Sequence, residues 1–131
     1  MEGVTLDAGA LIAADRNDRR FWIWWKWHSS RSLIAEVPAP ALAQAWRGSR
    51  SARLAAVLAG CRIMPMEAEG ARRAGQVCGV SNSSDVVDAF MVVSAAASGN
   101  DILTSDPRDL HRLAIYAPGA GRIRVLSELA H

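Results

Sequence analysis

Apolar and polar positions along the chain alternate between short β-branched runs and longer stretches with helical spacing. Gly3 to Leu6 is a brief apolar run ending at Asp7, and AGALIAA behind it has the spacing and residue types of a helix. The pair predicts a strand that delivers Asp7 to a strand-to-helix turn. Asn17 to Arg31 predicts a second helix, opened by Asn17 or Asp18 as cap, and Leu33 to Val37 predicts a strand. Pro38 and Pro40 mark the entry to a helix that carries Gln44 within ALAQAWRG. Ser51 to Ala59 reads as a helix stopped by Gly60, before the short apolar run CRIMPM. Glu67 to Cys78 is helix-like with Gly79 as its stop, and SNSS supplies a loop before a long apolar helix from Asp85 to Ser98, ended by Gly99. Asp101 to Thr104 predicts a strand, SDPRDL a helix start with Asp106 as cap and Pro107 in the first turn, and Arg122 to Leu126 a last strand.

Strands alternating with helices predict a parallel sheet covered on both faces, and the chain has the length of one domain, residues 1–131, without internal repeats. Function in such sheets gathers at the carboxyl ends of the strands near a topological switch point. Asp7 and Asp106 both follow strands and belong on that edge.

Composition narrows the class. Half of the residues are apolar and 21% are charged, as in a globular chain. The formal charge of +2 does not demand nucleic acid. Lys26 is the sole lysine and the remaining basic residues are arginines, which suits bidentate phosphate binding and equally suits a GC-rich coding sequence. MEGVTLDAGA lacks the basic start and apolar run of a signal peptide, and no apolar run reaches the length of a membrane span, so a cytoplasmic protein is expected. Cys61 and Cys78 have no CxxC partners and read as buried thiols rather than zinc or disulfide ligands.

The acids carry the chemistry. Asp85 and Asp106 each fit as helix caps, but Asp88 lies one turn after Asp85 in VVDAFMVV, where an unpaired carboxylate is expensive. Asp7, between VTL and AGALIA, raises the same problem. A salt bridge or a metal resolves it. Several carboxylates in one cleft repel each other unless a cation neutralises them, and a hard divalent ion such as Mg²⁺ or Mn²⁺ accepts oxygen ligands and binds phosphate. Metal-assisted phosphodiester hydrolysis is the chemistry this set suggests.

The segments VTLDAGALIA, VPAPALAQAW, SDVVDAFMVVSAA and ILTSDPRDL, in that order, resemble the PIN-domain ribonucleases, most closely the VapC-type toxins of bacterial toxin–antitoxin pairs. The resemblance covers essentially the whole chain. It implies a three-layer α/β sandwich whose five-stranded parallel sheet has the order 3-2-1-4-5. It also implies Mg²⁺- or Mn²⁺-dependent endonuclease action on RNA, and a cognate antitoxin as partner. Asp7, Asp88 and Asp106 match the family's acids, as catalytic and metal-holding residues. Asp85 is an additional acid, Asp109 an outer member, and Thr104 and Ser105 candidates to orient a carboxylate or water. Gln44 departs from the pattern, standing where LAQAW resembles a more usual LAEVL. An amide oxygen can coordinate but brings no charge and cannot act as a base.

FWIWWKWH places Phe21, Trp24, Trp25 and His28 on one helical face, with Trp22 and Trp27 elsewhere. Trp24 and Trp25 read as core. Trp22 and Trp27 read as a partner surface, for the antitoxin or a second protomer in a homodimer, with base stacking on RNA as a third option. His28, His111 and His131 are scattered and none is assigned to the metal. Arg47, Arg50 and Arg53 follow Gln44 as a solvated helix face or as contacts to RNA phosphate beside the cleft. Receiver-type phosphoacceptors and haloacid-dehalogenase-type hydrolases also place Asp on a sheet edge, but need a late lysine, and none follows Lys26. The other class of answer is a PIN-like binding module that engages antitoxin or RNA without cleaving.

Overall fold

A computed structural model describes residues 3–129, apart from the side chain of Ser49; Met1, Glu2, Ala130 and His131 lie outside the described residues. The strands β1 (Val4–Leu6), β2 (Ala35–Pro38), β3 (Arg62–Met64), β4 (Asp101–Thr104) and β5 (Ile123–Val125) form one sheet of order β3-β2-β1-β4-β5, with every pairing parallel. Among the described residues the helices are α1 (Ala8–Asp15), α2 (Arg19–Ser30), α3 (Ala39–Ala45), α4 (Ala52–Leu58), α5 (Ala68–Ser81), α6 (Val86–Ser98) and α7 (Arg108–Ala114). This is the expected α/β architecture, and the strand order is the expected one.

Alternation along the strands sorts the core into two layers of packing. Leu103 of β4 joins Val4 and Leu6 beneath α1, α2 and α4, with Leu11, Phe21, Trp24, Leu54 and Val57. Its neighbour Ile102 points the other way, to Phe90, Met91 and Val92 of α6, Val77 of α5, and Leu110 and Leu113 of α7. Each fully buried side chain of this size stabilises by about 1.5–3 kcal/mol. α6 is apolar nearly all round because it is covered nearly all round.

A buried polar seam ties the amino ends of the central strands. The Glu36 carboxylate, 3% exposed, accepts hydrogen bonds from Ser98 Oγ (2.7 Å) and Asn100 Nδ2 (3.0 Å), and Arg62 Nη1 approaches to 3.4 Å. Asn100 Nδ2 also donates to Thr5 Oγ1 (3.1 Å). Gly3 packs so closely on this amide that a Cβ there would land on Asn100 Oδ1.

Several boundaries differ from the sequence reading, each for a local reason. Asp18 caps α2 through the Arg20 N–H (2.9 Å), while Asn17 takes a left-handed conformation (φ 60°) outside the helix. α5 runs through Gly79 and ends at Asn82 (φ 57°), whose N–H donates to the Cys78 carbonyl. A glycine stops a helix only where its positive φ is used, and Gly79 stays helical. The residue before α7 is Pro107, which has no side-chain acceptor, and Asp106 reaches past it to accept the Arg108 N–H (3.3 Å) at the start of the helix, so it serves the expected capping role from one residue earlier. α3 ends at Ala45 and a 3-10 turn at Gly48–Arg50 precedes α4, so Arg47, Arg50 and Arg53 do not continue the Gln44 helix face. Cys61 and Cys78 are free but half-buried rather than fully enclosed. Burial pushes the Cys61 thiol up to about 12, and its Sγ donates to the Val57 carbonyl (3.3 Å).

The seam makes a stability prediction. Asn100→Ala strips Glu36 of a donor inside the fold and is expected to cost about 2–4 kcal/mol in chemical denaturation. A loss below about 0.5 kcal/mol, the level of a surface substitution, would show that the seam is incidental.

Candidate acidic active site

β1 and β4 are neighbours from which the sheet grows in opposite directions, so a crevice opens at their carboxyl ends. Asp7 leaves β1 there. Its backbone N–H still donates to the Leu103 carbonyl of β4 (3.2 Å), and its side chain, on a residue only 8% exposed, caps α1 by accepting the Ala10 N–H at 2.8 Å. Thr104, fully buried, sets its hydroxyl against the same carboxylate and accepts the Asp106 N–H (2.9 Å). Burial nonetheless dominates these hydrogen bonds and the Asp106 charge adds to it, pushing Asp7 up to about 6.

α6 brings the second group. Asp85 caps it by accepting the Asp88 N–H (3.0 Å), which turns both carboxylates toward the crevice, and α7 contributes Asp109. Carboxylate oxygens of Asp85, Asp88 and Asp109 lie within 4.8 Å of one another. Burial first, then the charge and hydrogen bonding of Asp85, then the charges of Asp7 and Asp109, push Asp88 up to about 7. Like charges held this close without a counter-ion are costly.

The cleft between these groups has a volume of about 200 Å³. Asp7, Asp85 and Asp88 line it together with Asp106, Asp109, Ser105 and Gln44, so the five acids named from the sequence meet Ser105 and Gln44 there, while Thr104 stays buried behind Asp7. They are not equivalent. Asp106 stands on the rim, its side chain 63% exposed and paired with Arg108 (3.3 Å), whose guanidinium holds it below the usual carboxylate range. Among the described residues, the three acids whose oxygens all lie within 4.8 Å of one another are Asp85, Asp88 and Asp109; Asp7 and Asp106 are not in that group. Gln44 is exposed on the end of α3 at the rim.

Other candidates stand apart from the cleft. Arg47 folds back on the Trp46 (2.7 Å) and Ala43 (3.4 Å) carbonyls, and neither it nor Arg50 lines the crevice. Trp22 is half-buried against the core and donates its indole N–H to the Ala14 carbonyl (3.0 Å). Trp27 remains 44% exposed, with the Arg31 guanidinium 4.6 Å from its ring centre. Trp24 is buried and Trp25 packs on the core beside it. A larger groove of about 740 Å³ between α5, α6 and Tyr116 to Pro118 holds no carboxylate. Arg108, Arg112 and Gly9 escaped the sequence reading. The alternation of acid and base in DPRDLHR was the available signal for the arginines, and Arg112 does pair with Asp109 (3.6 Å).

The donor set is all oxygen and anionic, which fits a hard divalent cation such as Mg²⁺ or Mn²⁺ and not a soft one. The β3-β2-β1-β4-β5 parallel sheet with helices on both faces is the PIN-like α/β fold. Among solved structures, VapBC2 from Rickettsia felis, bound to a DNA fragment from its promoter, matches with a TM-score of 0.70 at 11% identity, over 93% of this chain and 98% of that one. FitAcB from Neisseria gonorrhoeae matches with a TM-score of 0.67 at 15% identity, over 96% and 99% of the two chains. FitAB bound to the IR36 DNA fragment gives 0.65 at 16% identity, over 98% of each. No family model matches the sequence, and no curated protein matches it. At these identities the likeness establishes the fold.

The raised carboxylates fix a pH dependence. Both folded-state values exceed the ordinary 3.8, so each group contributes stability that is complete below that value and is lost as pH rises, through about 6 for Asp7 and about 7 for Asp88. Metal-free protein is therefore expected to melt at lower temperature at about pH 8 than at about pH 5. Asp7→Asn keeps a cap acceptor and removes the charge, so it should raise metal-free stability at about pH 8 by roughly 1–3 kcal/mol, with no gain below about pH 4. A variant less stable than the parent at about pH 8 would contradict the assignment.

Proposed function

We propose that the chain is a metal-dependent endoribonuclease acting as the toxin of a type II toxin–antitoxin module. The observation that carries this reading is the convergence of Asp85, Asp88 and Asp109 oxygens within 4.8 Å, beside buried Asp7, at the switch point of a PIN-like sheet. In it, Asp88, Asp85 and Asp109 hold Mg²⁺ or Mn²⁺, with Asp7 completing the cleft. A bound ion of this kind supplies polarisation of a phosphoryl oxygen, a more acidic water and stabilisation of the leaving alkoxide.

The chain's own residues account for the rest. Asp7, fixed by the Ala10 N–H and the Thr104 hydroxyl, is a carboxylate placed to orient an attacking water or take its proton. Arg108, held beside the rim by Asp106, offers a guanidinium to the RNA backbone. Gln44 presents an amide that hydrogen-bonds without adding charge. Exposed Ile23 and Trp27 on α2 give a cognate antitoxin an apolar surface to cover, and the fold is shared with the VapBC2 and FitAB assemblies.

A second reading, a binding module that engages antitoxin or RNA without cleaving, is favoured by one residue. Gln44 occupies the rim where the resembling family often has Glu.

An RNase assay with Mg²⁺ and Mn²⁺ on diverse structured RNAs separates the two. Cleavage is expected, and Asp7→Asn and Asp88→Asn should each reduce it by about 100-fold or more. Cleavage that survives both substitutions refutes the acidic mechanism, and no cleavage with either metal favours the binding module. Gln44→Glu adds a carboxylate to the rim and should tighten Mn²⁺ binding by about 3- to 10-fold in a titration. Unchanged affinity would return Gln44 to the role of an ordinary helix residue.

A further inference from the structure

The cleft contains a hydroxyl that the fold leaves uncommitted, and a missing side chain that makes room for it. Ser105 follows β4 and lines the cleft with Asp7 and Gln44. Its neighbour Thr104 is buried and hydrogen-bonded to Asp106. The Ser105 hydroxyl makes no hydrogen bond among the described residues and is exposed. Across from it, in the first turn of α1, lies Gly9. A Cβ on Gly9 would land on the Ser105 hydroxyl oxygen, with the Ser105 Cβ at 3.3 Å and Asp7 Oδ1 at 3.4 Å.

The backbone does not call for this glycine. Gly9 is helical, unlike Gly48, Gly99 and Gly119, which use positive φ. Alanine is the better helix former, and the flanking residues Ala8 and Ala10 are alanines. Clearance for Ser105 is the local reason that remains. An alanine methyl would be accommodated by turning the hydroxyl away, because it is the end of a short side chain.

We propose that Gly9 is a positioning residue whose missing side chain lets the Ser105 hydroxyl stand beside Asp7 as an uncharged donor to a non-bridging oxygen of the substrate phosphate. This rests on the reading of the cleft as a phosphodiester-cleaving site. Five carboxylates line that cleft and none can donate when ionised, so inside the Arg108 rim the side-chain donors a phosphate meets are the Ser105 hydroxyl and the Gln44 amide.

Gly9→Ala, Ser105→Ala and the double variant test the proposal through KM, kcat, thermal midpoint and Mn²⁺ affinity. Gly9→Ala should keep or raise the midpoint, leave Mn²⁺ affinity unchanged, and raise KM about 3- to 10-fold with little change in kcat. Ser105→Ala should raise KM equally, and the double variant should be no worse than Ser105→Ala alone. Wild-type KM in either single variant, or additive effects in the double, overturns the proposal. If the parent protein cleaves RNA and binds Mn²⁺ while Gly9→Ala matches it, this inference fails alone. A parent that does neither removes the proposed function and this inference with it.

Discussion

The carboxyl edge of the sheet depends on a carboxylate kept where its charge is disfavoured. Asp7 is buried between β1 and α1, and the same side chain that burial pushes up to about 6 is the acceptor that starts α1. The fold tolerates the charge because N–H groups of Gly9 and Ala10 and the Thr104 hydroxyl face it. Those groups offset part of the desolvation and leave the remainder as a demand for a cation or a proton. Asp88 repeats the arrangement on the next wall, with Asp85 as cap and like charges in place of a partner.

The rest of the structure serves this convergence. The switch point between β1 and β4 opens the crevice, the apolar walls of α6 fix Asp85 and Asp88 on a rigid helix, and α7 brings Asp109 across to them. The buried seam of Glu36, Asn100 and Thr5 locks the opposite ends of the same strands, so the edge that carries the acids is held from below. Arg108 and Arg112 ring the outer face and pair with Asp106 and Asp109. They leave Asp7, Asp85 and Asp88 without a cationic partner among the described residues.

Most of the fold was legible because the signals were local and strong. Apolar runs of strand length alternate with helical stretches, and Asp7 and Asp106 follow strands in the sequence as they do in space. The failures came where one local signal had two meanings. Gly79 has the composition of a stop, yet the chain there needs no positive φ and Asn82 ends the helix instead. Asp106 has the sequence of a cap and still accepts the Arg108 N–H, yet the turn advances one residue before α7 begins, and the same carboxylate also holds the Arg108 guanidinium. Trp22 looked free on a helical wheel, but α1 lies close enough to take its indole N–H. The acids of the cleft were all nameable from residue type and position. Their grouping was not, because which oxygens meet depends on how α6 and α7 cross, and sequence spacing does not record that crossing. Gly9 was invisible for a related reason, since a glycine's role as clearance exists only once Ser105 stands opposite it.

The proposed function stands or falls on whether this uncompensated cluster of like charge takes a divalent cation. Calorimetric titration with Mn²⁺ in buffers of different ionisation enthalpy tests it most directly. With Asp7 and Asp88 titrating at about 6 and about 7, binding near about pH 6.5 should release protons, and that release should fade by about pH 8.5, where both groups are already ionised. Absence of binding, or a binding heat independent of buffer at about pH 6.5, would contradict it.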